Sequence, residues 1–479
     1  MNEPRRLHPL SIAFTFFKLL RSAIIPLIVF LSGTFNEIGG ISPWIWWLVG
    51  VAFILIFVLP SFLTWYRFTY RVDDGELKIQ YGAFVKNHRY IRRERIQSVH
   101  RSSGILHRPF GLVKVQIETL GGRLKKPEAE FSAISLADAE QLEAALYGKK
   151  ERLESEKEEP AERDEPAEVS RKVLPHHLLI AGATSGKIGV VLSAVAAIFS
   201  QIDNLFPKHF YAALYHRLLT TGIHFLVILL ISAAIVAWIL SILGTVLRYS
   251  DFTLTRTGNE LKITSGFLER RNLTLPVHRI QAVRIVEGLL RQPFGFASLY
   301  VESAGGSSGR HEEVSTVLFP ILPKSEITAF LNEFVPDYPV AYQLSSAPKR
   351  ALFRYLLWQV VPALIISIPV AVWVPWGSYA LLLVPLALFF GTLRYRDAGW
   401  ALLHRFTVFR YRVLARTTVI VPKKNIQASE VRQSYFQKRS KLATLGISVI
   451  SRSAGRSFQV AHLEAAAGDQ LLNWYRRKR

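Results

Sequence analysis

The sequence predicts α-helical membrane hairpins alternating with mainly-β domains: six transmembrane helices in three pairs, each pair followed by a strand-rich domain closed by a C-terminal helix. Three observations carry this expectation. One motif recurs at fixed spacing. Long apolar runs come in pairs. Each pair gives way to short alternating segments that end in one amphipathic stretch.

The motif reads Arg95-Ile96-Gln97-Ser98-Val99, then Gly104-Ile105-Leu106-His107-Arg108-Pro109-Phe110-Gly111. It returns 184 residues later as Arg279-Ile280-Gln281-Ala282-Val283, with Gly288 to Pro293-Phe294-Gly295 behind it. A third copy, a further 146 residues on, keeps Asn425-Ile426-Gln427-Ala428 and has Tyr435-Phe436 where Leu289-Leu290 would fall. A gapless offset held over so many residues marks internal duplication.

Half of the 479 residues are hydrophobic, yet the formal net charge is +23. Both hold only if apolar and basic residues are segregated, as they are here. There is no cysteine, which excludes disulfides, zinc thiolates and thiol catalysis. Lys18 and Arg21 interrupt the first apolar stretch, and no cleavable signal peptide is evident.

Taken in order, Phe14 to Leu31 is the first expected span, with Lys18 and Arg21 reaching back to the headgroups. Trp44 to Leu63 is the second, flanked by Trp44, Trp46, Trp47, Trp65 and Tyr66, the aromatics favoured at interfaces. Each run approaches the roughly 20 residues a span needs. Strands are expected at Phe68–Val72, Leu77–Tyr81, Val85–Ile91, Ile96–Val99 and Val113–Thr119, with a turn at Asp73-Asp74-Gly75. Ser135 and Asp138 suggest a capped helix to Tyr147, with Leu136, Leu142 and Leu146 on its apolar face. Residues 148–172 are charged and apolar-poor, a linker.

Leu178 to Ser200 is the third span, starting at either Leu178 or Ile188, with Gly182 and Gly186 as a small-residue pair. Ile223 to Val246 is the fourth. The second domain follows, with strands at Leu261–Thr264, Leu268–Leu275, Ile280–Val286, Leu299–Ser303 and Val314–Leu318 and a helix at Lys324–Phe334. Leu352–Trp373 and Trp376–Leu393 form the last hairpin. Strands at Phe406–Arg412, Thr417–Val421, from Ile426, Leu445–Ile450 and Phe458–Leu463, and a helix from Glu464, make the third domain. The expected division is hairpin 1–64, domain 65–147, linker 148–172, hairpin 173–246, domain 247–336, hairpin 337–393 and domain 394–479. Paired spans return the chain to its starting side, so the N-terminus and all three domains share a face. The Lys/Arg excess makes that face cytoplasmic.

Two spans followed by a domain bearing Arg-Ile-Gln-x-Val and Pro-Phe-Gly resemble the bacterial pleckstrin-homology-like membrane proteins of the YdbS/YdbT type over nearly the whole chain. The third copy departs from the pattern at Asn425, Arg439 and Lys441. The resemblance implies domains of two roughly orthogonal antiparallel sheets, a sandwich or barrel closed by a C-terminal helix. It also implies no established enzymatic activity, an association with protection against membrane-active bacteriocins, and a smaller one-domain membrane partner.

The residues themselves point away from catalysis. Gly182-Ala183-Thr184-Ser185-Gly186-Lys187 is one residue short of a phosphate loop and lacks the following Ser or Thr. His176-His177 has no accompanying carboxylate pattern. No nucleophile–base pair, metal site or cofactor motif is found. The basic clusters carry the expectation of anionic-lipid contact: Lys86, Arg89, Arg92 and Arg93; Arg270 and Arg271; Arg416, Lys423 and Lys424. The motif residues Arg95, Ile96, Gln97, Phe110, Gly111, Arg279, Ile280, Gln281, Phe294, Gly295, Ile426 and Gln427 read as structural, with the phenylalanines buried under a turn. Nucleic acid is not expected, since the tethered basic patches lack stacking platforms. A scaffold that binds anionic lipid or partner membrane proteins is the resulting reading. A transporter is the rival class, but the spans lack midplane charges.

Overall fold

The computed structural model describes residues 3–20, 52, 54–73, 75–82, 85–119, 128–147, 168–186, 193, 223–303, 315–339, 341–373, 377–450 and 455–476. The first expected span beyond Leu20, the second before residue 52, nearly all of the third beyond Gly186, and the linker as far as residue 167 lie outside the described residues. The chain gathers into two compact units. One comprises the chain up to Glu168 together with Leu268–Pro276; the other holds most of the remainder.

The first repeat contains β1 (Arg5–Arg6), α1 (Ser11–Leu20), α2 (Leu59–Tyr66), β2 (Thr69–Asp73), β3 (Glu76–Tyr81), β4 (Asn87–Arg92), β5 (Ile96–Ser103), β6 (Leu112–Thr119), β7 (Ala129–Ser135) and α3 (Leu136–Tyr147). Strands β1 to β4 form one antiparallel sheet in that order, and β5, β6 and β7 lie in a second. Gly75, at φ 75°, makes the tight link that sets Asp73 opposite Glu76. The inward faces of both sheets bury Tyr70, Leu77, Ile117 and Phe131, and Ala139, Leu142 and Leu146 of α3 join that cluster. Ser135 caps α3, accepting from the Asp138 amide at 3.0 Å. Leu136, expected on the buried face, is exposed; Ala139 packs instead.

The second repeat contains β8 (Val169–Lys172), α4 (Pro175–Ala183), α5 (Ile223–Tyr249), β9 (Thr253–Thr257), β10 (Glu260–Ser265), β11 (Arg270–Pro276), β12 (Ile280–Glu287), β13 (Phe296–Ser303), β14 (Thr316–Pro323) and α6 (Ile327–Phe334). The third contains β15 (Ser345–Ser346), α7 (Leu352–Trp373), α8 (Leu383–Asp397), β16 (Gly399–Leu402), β17 (Phe406–Arg412), β18 (Arg416–Pro422), β19 (Ile426–Arg432), α9 (Tyr435–Arg439), β20 (Leu442–Val449), β21 (Arg456–Glu464) and α10 (Ala465–Arg476). The order of the first repeat recurs. Its third core buries Phe409, Ile447 and Phe458 with Leu471 of α10.

Successive repeats join by strand pairing. Within the first unit, β11 runs antiparallel to β5, with Arg270 opposite Ser103 and Thr274 opposite Val99. Within the second, β18 runs antiparallel to β12, with Arg416 opposite Glu287 and Ile420 opposite Val283. The duplication offsets carry each pair of the first joint onto a pair of the second, so both joints share one register.

Several sequence expectations need correction. The last four residues of the expected linker form β8, which pairs with β9; Val169 and Arg171 alternate with Ser170 and Lys172 as a strand requires. Val85 and Leu268 were expected inside strands but lie in exposed loops before β4 and β11. Lys18 bonds Glu130 at 3.1 Å instead of a headgroup, because α1 lies against the first domain. Among the described residues three helical segments are long and apolar enough to cross a membrane, Ile231–Tyr249, Lys349–Trp373 and Gly377–Asp397; the first three expected spans lie partly outside those residues.

His462 supplies a test of the third core. It is buried on β21, its Nδ1 accepts from the Gln437 Nε2 amide at 3.1 Å, and its ring meets that of Tyr355 edge-on. Burial, and then the nearby Arg354 charge, lower its pKa from 6.5 to about 4. A depressed histidine pKa means that the unfolded state binds the extra proton first. The stability is therefore whole above pH 6.5 and is lost as pH falls from 6.5 towards 4, by about 3 kcal/mol at most. Hydrogen exchange of β20 and β21 amides should accelerate over that window. His462→Gln should flatten the dependence.

Candidate functional site: the membrane-proximal loops

The repeated motif builds two things, a bulge and a turn. A short 3-10 turn, at Arg93–Arg95, Val277–Arg279 or Lys423–Asn425, delivers the chain to a buried isoleucine, Ile96, Ile280 or Ile426. At that point the pairing advances two residues against one on the neighbouring strand in every repeat, which makes Gln97, Gln281 and Gln427 part of a β-bulge. The bulge explains the fixed spacing: one residue fewer would turn every later side chain to the wrong face. Arg95 is exposed and Arg279 half-buried. Asn425 at the same position donates to the carbonyls of Ile280 and Gln281, at 3.1 and 3.2 Å.

The turn ends on a left-handed residue, Gly111 at φ 61° and Gly295 at φ 70°. Lys441 keeps that conformation at φ 51°, at a cost of about 1 kcal/mol for a residue with a Cβ. The expectation that the phenylalanines are buried is overturned. Phe110 is 59% exposed and Phe294 67%. The turn closes through its own backbone, Gly111 N–H to the Arg108 carbonyl and Leu112 N–H to that of His107, so the ring is not needed inside and projects outward. Ile105 and Leu106, Leu290, and in the third repeat Tyr435 and Phe436, are exposed on the same loop.

A second loop behaves alike. Before the strand that leads to the bulge, Val85, Phe267 with Leu268, and Val413 with Leu414 are exposed. In the second and third repeats both loops meet helices of the membrane hairpins, and in the first the turn loop does. In the first repeat, His107 stacks on Phe14 of α1 at 3.9 Å. In the second, Phe267 N–H donates to the Leu247 carbonyl at the end of α5 at 2.9 Å. Arg291 there donates to Thr184 and to the Ala181 carbonyl, at 3.0 Å each, beside α4. In the third, Arg394 of α8 bonds the Val413 carbonyl at 3.3 Å, and Arg354 of α7 bonds Ser440 at 2.8 Å and the Phe436 carbonyl. Helix α4 in turn packs on α5: a Cβ on Gly182 would come within 2.9 Å of Ile242, whereas one on Gly186 would touch no neighbour.

The cations predicted for lipid contact divide into two groups. Lys86, Arg92, Arg270 and Lys424 are exposed, although Arg92 lies 3.4 Å from Glu76. Arg108 stands exposed beside Phe110, and Lys438, Arg439 and Lys441 follow Phe436. The others serve the fold. Arg89 pairs with Glu128 at 3.5 Å and lies over Tyr81. Arg93 is half-buried and has a partner. Arg271 bonds Glu269 at 3.0 Å. Lys423 donates to the Trp474 carbonyl at 2.6 Å. Arg416 bonds Glu287 across the second joint and also reaches Asp397, which pairs with the buried Arg412. Burial alone would raise the Glu287 carboxyl, but hydrogen bonds and charge from Arg416 and Lys324 outweigh it and hold its pKa below the ordinary value.

A cleft of about 1070 Å³ runs beside Tyr338 and Trp474, bordered by His278, His404, Arg405 and Lys424. His176 and His177 touch each other, at 4.3 Å between ring centres. Among the described residues no group of three or more His, Asp or Glu could hold a metal. The exposed apolar tips escaped the sequence reading. Their signal was present: an apolar residue that breaks strand alternation, with a cation within two positions, recurs at matching places in the copies.

The family model described as a bacterial PH domain matches three times, over residues 22–150, 212–334 and 355–479. The UPF0699 transmembrane protein YdbT of Bacillus subtilis strain 168 is 37% identical over 493 aligned residues, 99% of this chain and 98% of that protein.

The exposure of the tip residues has a direct consequence. Phe294→Ser should leave thermal stability within about 0.5 kcal/mol of wild type, as for other surface changes. Leu299→Ala, at a fully buried position two strand turns away, should cost about 2–5 kcal/mol. Denaturation in detergent, followed by intrinsic fluorescence, would measure both; a large loss with Phe294→Ser would contradict the outward placement of the ring.

Proposed function

The chain belongs to the YdbT family of membrane proteins with repeated bacterial PH domains, and from that premise we propose a non-enzymatic membrane scaffold whose three domains are held against the cytoplasmic face of the bilayer by their apolar loop tips and the cations beside them. The observation that carries this reading is the recurrence of two loops per repeat that expose apolar side chains, both of them meeting helices of the membrane hairpins in the second and third repeats. Large exposed apolar residues gathered in one place mark an interaction surface.

Magnitudes support a bilayer as the partner. Burying a phenylalanine or leucine from water contributes about 1.5–3 kcal/mol, and each cation near an anionic surface about 1 kcal/mol. Two or three immersed side chains with Lys86, Arg108, Arg270 or Lys438 at their flanks would fix a domain already tethered by its spans. Lipid anionic charge would then select the membrane through the cations, and the tips would supply most of the energy.

The wider proposal retains six spans, the division of the chain with its linker shortened to end before Val169, a helix closing each domain, and cytoplasmic domains by the excess of Lys and Arg on that side. A smaller membrane protein with one PH-like domain as partner, and a role in envelope defence against membrane-active bacteriocins, rest on the family resemblance.

The native chain has no cysteine, so single labels are clean. Phe110→Cys, Phe294→Cys and Phe436→Cys, each carrying an environment-sensitive dye in nanodiscs, should show blue-shifted emission quenched by spin-labelled acyl chains. Lys262→Cys, an exposed position on β10, should not. Quenching should be stronger with anionic than with zwitterionic lipid, and Lys86→Ala with Arg270→Ala should reduce that difference. Equal, unquenched emission from tips and control would sink the bilayer reading.

A further inference from the structure

Each joint between repeats uses a donor strand and an acceptor strand. Donors β11 and β18 follow the exposed second loop; acceptors β5 and β12 carry the bulge. The first repeat has its own donor-type strand, β4, and the third has its own acceptor-type strand, β19. Within the sheets described, β4 pairs only with β3, and β19 only with β20. The chain therefore ends its series of joints with one donor edge and one acceptor edge, the two halves of an interface it forms twice internally.

We propose that β4 of one copy pairs with β19 of a second copy, head to tail, in the register of the internal joints. That register sets Lys86 opposite Gln433, Asn87 opposite Arg432, Arg89 opposite Glu430 and Tyr90 opposite Ser429. Three observations favour this occupant. The edges match in type and length, six residues in β4 and seven in β19. The register opposes Arg89 to Glu430, as the second joint opposes Arg416 to Glu287. And the pairing brings the loop of Val85 in one copy beside the Tyr435-Phe436 loop of the other, so that the tips of both copies face the same bilayer. This third point rests on the bilayer reading; the first two do not.

The carbonyls at the start of β19 already have a donor, the Tyr475 hydroxyl, at 3.4 Å from Ile426 and 3.3 Å from Gln427. Tyr338 occupies the same role at Ile280, where the joint forms beside it. Capping by tyrosine is therefore compatible with pairing further along the strand. A heterologous contact of this kind closes into a ring or grows into a row, according to the rotation between copies. An unpaired edge of six or seven residues is otherwise open to wrong partners.

The test uses the full chain in native membranes. Copies with Asn87→Cys and copies with Arg432→Cys, carrying different tags, are co-expressed and oxidised mildly before extraction. Directly opposed strand residues have Cα atoms about 4.5–5.5 Å apart, within disulfide reach. The mixture should give a disulfide-linked dimer carrying both tags, and neither protein alone should give it. Asn87→Cys with Gln427→Cys, five residues or about 17 Å along the strand, should not cross-link. Glu430→Lys, which would set two cations opposite each other, should lower the yield up to about five-fold. A monomer by native mass spectrometry with no mixed dimer would overturn the proposal. So would capture of a different PH-like protein by Arg432→Cys, or a dimer of Asn87→Cys with itself. None of these outcomes bears on dye quenching at the tips, so failure of this inference and failure of the bilayer reading are distinguishable.

Discussion

Antiparallel pairing of one repeat's strand with the edge of the preceding repeat is the constraint on which the rest depends. It demands that β5 and β12 present an ordered row of backbone groups at a fixed height. The bulge at the glutamine sets that height, and the 3-10 turn before it sets the entry angle. Once the register is set, the two loops of each repeat are carried to the same end of their strands. In the second and third repeats that end is where the hairpin helices stop, and hydrogen bonds from the Phe267 N–H to Leu247 and from the Arg394 side chain to Val413 hold the loops there. The apolar tips thus follow from the joint and the helix ends together.

The ion network at the second joint shows what polar groups add to such an interface. Arg412 is almost wholly buried with Asp397, and Arg416 bridges Asp397 and Glu287. Desolvating charges offsets most of their attraction, so the network adds little to stability beyond what packed apolar residues would supply. Its value lies in the penalty for error. A one-residue slip would take Arg416 away from the buried Glu287 and leave that carboxylate to Lys324 alone, while Asp397 would keep Arg412. The first joint places Ser103 where Glu287 stands in the second, so the register does not require the charges.

The repeat architecture, the β-then-helix order and the fourth and last two spans were legible because duplication and long apolar runs are signals that survive local ambiguity. The capped start of α3 was legible for the same kind of reason: Ser135 and Asp138 state a local hydrogen bond. Two features were not. The pairing of β11 with β5 joins residues far apart in sequence, and hydrophobic alternation says that a strand exists but not what it pairs with. The tips were misread because Phe110, Val85 and Leu268 carry residue types that suit a core; only the backbone closure of the turn shows that the core does not need them. The cations mislead in the opposite sense. Arg416 and Lys423 belong to clusters that read as lipid-facing, yet the fold gives each a partner.

The third repeat tests whether divergence from the motif means loss of its role. Asn425 replaces the arginine and reaches two carbonyls of β12, an arrangement within the fork of a short amide at that distance. Lys441 replaces the glycine and still adopts positive φ, with its amide and carbonyl engaged by neighbours. The capping box of Ser434 and Gln437 rebuilds as helix α9 the turn that proline and glycine make elsewhere, and it leaves Tyr435 and Phe436 exposed as Phe110 and Phe294 are. Different residues thus reach one geometry: a left-handed end to the turn and an outward aromatic. What is common to the three copies is the shape of the tip rather than its letters. A ligand pocket would require particular donors at particular places; an interface with headgroups and acyl chains requires apolar area, positive charge and a fixed height.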